Sequence, residues 1–322
     1  MDSAPDTTYC VALMRQRPLD VTRFGPLIGG VLQLHRIDAN RQVRRQRGFV
    51  ATGLTAGVAE QLHAALLGAD VACEVIDERL VDRPPRAGSA YYLDGWDEGL
   101  IVGKEQGGEH AWSRVAMMTI GAILPSTADG NMRNAFAAPV ASSGLTPGER
   151  ALLRDRAGEP PTAALGELSR WLSVVDKEGF ALIDKDIPPF VLDLILREPE
   201  QRYRVEARTM IATPVGADRS PNWLRNFSVI AQRVASYIPP DALSPGARLF
   251  LDACGGYDLE FDLITEFDES VTWLWFRRRQ AELDELLADD DAAPADDTDA
   301  AAGSGTTAND EPAANTAGPE EG

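Results

Sequence analysis

His35, His63 and His110 are the side chains of this sequence that could move a proton near neutral pH at their ordinary pKa. None has a serine, cysteine or carboxylate at a spacing that marks a nucleophile and its base. The chain carries no G-x-S-x-G, H-E-x-x-H, P-loop, G-x-G-x-x-G or C-x-x-C. An enzyme built on carboxylates scattered in sequence and joined in space stands as one alternative, since such pairs need no local signature. Cys10, His35, His63 and Cys73 make a Cys₂His₂ ligand set by type. Cys10 and Cys73, however, fall in apolar, strand-like runs, and the spacings fit no zinc motif. They read as small buried hydrophobes, and neither a metal nor a cofactor is expected.

The sharpest polar feature is a run of arginines, Arg36, Arg41, Arg44, Arg45 and Arg47, expected in an irregular connection after a helix. Guanidinium groups at this density suit a partner or anion contact. Nucleic acid would use them on phosphates. Against that stand an overall charge of −19, the lack of any RNA- or DNA-binding signature, and a single aromatic nearby, Phe49. The leading reading is a non-catalytic protein-interaction or regulatory protein with a protein partner; the alternative is a nucleic-acid-associated protein using Arg36–Arg47.

These residues must be held by folded elements. Tyr9–Met14 is a short apolar run that fits a buried strand, and Asp20–His35 has helical spacing behind an Asp cap. Phe49–Ala51 is a short strand, Thr55–Leu67 an amphipathic helix ended by Gly68, and Val71–Ile76 a strand. The order is βαβαβ. Within it GFVATGLTAGVAEQLHAALLGADVACEVI resembles the closing half of the C-terminal domain of the bacterial ribosomal stalk protein, over residues 9–77. The resemblance implies a compact fold that offers a helical face to protein partners. In place of that family's Gly- and Lys-rich segment this chain has HRIDANRQVRRQRG.

After a Pro-rich linker, residues 82–89, the stretch Asp97–Leu124 predicts a hairpin turning at Gly107-Gly108, with Trp112 anchoring its second run. Residues 126–148 read as a loop excursion, 149–158 and 162–170 as short helices, and 171–176 and 179–184 as strands. Pro189–Leu196 and Tyr203–Ile211 follow as strands, the second alternating Tyr203, Val205, Ala207, Thr209 and Ile211 against a solvent face of Arg204, Glu206 and Arg208. Helices are expected at 222–237, 244–254 and 265–287. In the last, Trp273-Leu274-Trp275-Phe276 would cover most of the circumference and pack in the core. Arg277-Arg278-Arg279 reads as an internally paired helix surface and not as a lipid-binding patch.

The expected fold class is therefore α+β: a small unit over 1–81, the linker 82–89, an antiparallel-sheet domain with C-terminal helices over 90–287, and a disordered acidic tail, 288–322. By analogy of architecture alone the second domain resembles pleckstrin-homology-like bacterial domains. The tail holds ten carboxylates and no Lys or Arg. It would serve solubility, or would fold back over Arg36–Arg47 and compete with a partner. Three scattered cysteines and the lack of a long apolar segment or basic leader point to the cytoplasm without a membrane span.

Overall fold

In the computed structural model, residues 7–104, 108–124, 188–254 and 256–291 are described. The fold is α+β. Residues 1–280 form one compact unit, and residues 281–322 form a second, of which the described part is helical. The expected features between 126 and 184, and the acidic tail from 292 onward, lie outside the described residues, as does Gly107.

The first layer is a three-stranded antiparallel sheet ordered β2-β1-β3, from β1 (Tyr9–Leu13), β2 (Phe49–Leu54) and β3 (Cys73–Asp77). Val11, Leu13, Val50 and Cys73 point to one face, where α1 (Val21–Leu32) and α3 (Ala56–Leu67) bury Phe24, Ile28, Leu62 and Leu66. Asp20 caps α1 through the Thr22 N–H at 2.8 Å. Between α1 and β2 the expected irregular connection is instead a helix, α2 (Arg36–Arg45), so the order is βααβαβ.

The second layer is a five-stranded sheet, β11-β8-β9-β10-β4. Its members are β4 (Ala87–Ala90), β8 (Val115–Ile123), β9 (Phe190–Leu196), β10 (Gln201–Glu206) and β11 (Glu260–Phe261). The pairs β8–β9 and β9–β10 are antiparallel, whereas the outer pairs β11–β8 and β10–β4 are parallel. The last residues of the Pro-rich stretch thus enter a strand. A third sheet holds β5 (Tyr92–Trp96), β6 (Gly99–Gly103) and β7 (Gly108–His110). The hairpin expected over Asp97–Leu124 forms only between β6 and β7. The run after Trp112 leaves as β8 to pair with β9, and Trp112 stacks on Tyr237 with ring centroids 4.8 Å apart.

Every residue of β9, FVLDLIL, is buried because the sheet is covered on both sides. On one side Leu192, Leu194, Met118 and Ile120 meet α4 (Trp223–Ser236) and α5 (Pro245–Leu251) through Phe227, Ile230 and Phe250. On the other lies the long helix α6 (Ile264–Asp291). Its Phe267, Val271 and Trp275 pack on the five-stranded sheet, while Trp273 and Phe276 pack on Cys10, Ala12, Phe49 and Ile76 of the three-stranded one. This accounts for the aromatic run: α6 within residues 1–280 serves two sheets, so more than one stripe of it must be apolar.

Candidate functional site

The arginine run is the feature to which sequence assigned a contact, and the fold divides it. α2 is capped by His35, whose Nδ1 accepts the Ile37 N–H at 3.4 Å; Asp38 occupies the first turn and Arg44 and Arg45 the last, a charge order that favours the helix dipole. Ala39 and Val43 are its buried residues, one turn apart. Ala39 meets α1 at Gly29, where a Cβ would stand 2.9 Å from its own, and Gly25 leaves room for Asn40.

This seating turns Arg36, Ile37, Arg41 and Arg44 outward. Ile37 is 63% exposed, an unusual place for an isoleucine, with Leu34 exposed just before the helix. Among the described residues Arg41 makes a 3.5 Å contact with the equally exposed Asp38, an arrangement that holds a side chain weakly. Arg45 and Arg47 are engaged elsewhere. Arg45 Nε lies 3.2 Å from the buried carboxylate of Glu266 on α6. Arg47, 5% exposed, donates to the carbonyls of Tyr257 and Glu260 at 3.2 and 2.7 Å and lies over the rings of Tyr257 and Phe261. It ties the segment after α2 to the strand before α6. Arg17, earlier in the chain, donates to the Asp70 carbonyl, and Arg23 to that of Ala69.

The potential zinc ligands are not assembled. His35 caps α2, and His63 Nε2 is 3.0 Å from the carbonyl of Cys73, which uses the backbone and not the thiol. Burial, aided by Glu78 and Glu74, pushes the Cys10 thiol up to about 12, and burial with Glu74 takes Cys73 to about 11. Among the described residues no group of three or more His, Cys, Asp and Glu side chains could hold a metal ion. His110 receives Arg114 Nη1 at 3.1 Å from Nδ1 and tilts against Tyr203; burial and Arg114 lower its pKa.

Sequence reasoning missed the buried ionic centre. Asp193, wholly buried in β9, receives Arg202 Nε and Arg204 Nη2 at 2.7 Å on Oδ2 and Arg204 Nε at 2.8 Å on Oδ1. Asp268 of α6 closes the group, receiving Arg202 and Arg204 at 2.6 Å. Arg204, expected on a solvent face, is therefore covered by α6. β10 also ends at Glu206 and not near Ile211, because the chain turns as Thr209 N–H bonds the Glu206 carbonyl. The available signal was the carboxylate inside FVLDLIL: a buried charge needs a partner, and the neighbouring strand supplies two arginines. The three consecutive arginines of α6 are likewise engaged, Arg277 with Glu74 and the Leu13 carbonyl, Arg278 with Asp241 and Arg279 with Asp82.

Comparison with family models, with curated proteins and with solved structures returns no match. Among the described residues no helix is long and apolar enough to cross a membrane.

Proposed function

We propose that this protein acts as a non-catalytic interaction module whose contact element is the outward face of α2, and that the face receives an acidic partner segment bearing an apolar side chain. The observation that carries the reading is Ile37, 63% exposed and set among Arg36, Arg41 and Arg44. An apolar centre ringed by cations matches a protein partner better than a phosphate backbone, which would make use of the arginines and leave Ile37 idle. Nucleic acid is the second reading, supported by the same three arginines.

Ile37 separates the two. Full-length protein, its Ile37→Asp variant and its Arg41→Glu/Arg44→Glu variant would be compared in affinity capture with and without nuclease, and in titrations with single-stranded RNA. A nuclease-resistant partner lost in both variants supports the protein reading. Capture abolished by nuclease, with RNA binding that needs the arginines and tolerates Asp at 37, would replace it with the second.

A further inference from the structure

A cavity of about 580 Å³ lies where the chain leaves β10 and enters α4, its lining including Ala207, Met210, Ile211 and Trp223 and the polar Arg219, Ser220 and Asn226. Its size is that of small-molecule sites. The polar side is built by buried groups. Asn226, 4% exposed, grips Ser220 through both backbone atoms: its Oδ1 accepts the Ser220 N–H at 2.8 Å and its Nδ2 donates to the Ser220 carbonyl at 2.6 Å. Ser220 Oγ accepts the Asn222 N–H at 3.1 Å, and Asn222, 6% exposed, caps α4 through the Leu224 N–H. A surface loop held by two buried amides is fixed in shape before any ligand arrives, which lowers the entropy lost on binding.

Among the described lining residues the charged one is a cation. Arg219 is exposed, the Ser220 hydroxyl, whose oxygen accepts the Asn222 N–H, carries a proton that it can donate, and the N-terminal end of the fourteen-residue α4 adds the positive end of its dipole. The lining also includes Met210, Ile211 and the Trp223 ring, over which the Arg208 guanidinium lies 5.3 Å from the ring centre. We propose that this cavity binds a small aromatic carboxylate, its ring against Trp223 and Met210 and its carboxylate on Arg219 and the Ser220 hydroxyl. The site is separate from α2 and does not depend on the reading given to that helix.

The test is calorimetric titration of the full chain with 2-naphthoate, checked by tryptophan fluorescence, with 2-naphthylmethanol and decanoate as comparison ligands. One saturable site is expected with Kd on the order of 0.1–1 mM, as suits a ligand of this size. Arg219→Glu should weaken it at least about tenfold, and the neutral alcohol should bind about tenfold more weakly than the acid. Ala207→Phe, which fills the cavity and leaves Arg219 in place, should abolish binding, with circular dichroism confirming the fold. Absence of saturation by ~10 mM, or equal binding by Arg219→Glu, or equal binding of acid and alcohol, would overturn the proposal. Tighter binding of decanoate than of naphthoate would overturn the aromatic assignment.

Discussion

Arg204 and Asp193 meet side by side beneath α6, Nε on Oδ1 at 2.8 Å and Nη2 on Oδ2 at 2.7 Å, a two-point contact between neighbouring strands. With Arg202 and Asp268 it makes a group of two cations and two anions, so the interior holds no net charge there. Asp193→Ala would leave two guanidinium groups facing Asp268 alone and should cost about 3–5 kcal/mol in denaturant unfolding. Asp268→Asn, at a side chain 41% exposed, should cost about 1 kcal/mol. Equal losses at the two positions would contradict this account.

Arg47 depends on shape as well as charge. Its guanidinium centre is 4.3 Å from the Tyr257 ring centre and 4.8 Å from that of Phe261. Lys in its place keeps the charge but loses the flat face and one of two carbonyl contacts, so Arg47→Lys should lower stability by about 2 kcal/mol. Arg44→Lys on the exposed face of α2 should change it by less than about 0.5 kcal/mol.

Gly48 follows Arg47 with φ +97°, and a Cβ there would collide with the Trp273 ring. Gly48→Ala therefore combines backbone strain with displacement of the side chain by which α6 meets the three-stranded sheet. A loss of at least about 3 kcal/mol is expected, together with a change in tryptophan fluorescence in the native state.

The acid response should carry two opposed signs. Burial raises the carboxyls of Glu266 and Asp258, each against the opposing pull of Arg47. For these the folded state holds the proton more tightly than the unfolded chain, so their contribution falls as pH rises from the ordinary carboxylate range through the raised values. Asp268 is also pushed up by burial, but Arg204 and Arg202 outweigh this and leave it lowered; its contribution is present above the ordinary value and lost on acidification below it. Unfolding free energy measured from pH 4 to 7, as an order-of-magnitude window around these carboxyls, should therefore decline less steeply with rising pH in Glu266→Gln than in the wild type. A steeper decline would refute the assignment.

Much of the local structure was legible because it rests on neighbours in sequence. Asp20 caps α1, the apolar spacing of Thr55–Leu67 makes α3, and Asn222 opens α4. α2 was hidden because only Ala39 and Val43 are buried on it, and its remaining residues carry the composition of a solvated loop. What sequence by itself determined, then, is which segments can form helices and strands, since capping and periodicity act within a few residues. Only the tertiary structure decided which arginines are available. Arg47 is held by Tyr257, more than two hundred positions away, Arg204 is covered by α6, and Ile37 is left outside because, two residues before the buried Ala39, it falls on the opposite side of α2. The same holds for the aromatic run of α6: its residues were recognisable as core, but that they serve two sheets follows from where the chain brings those sheets, which no local pattern encodes.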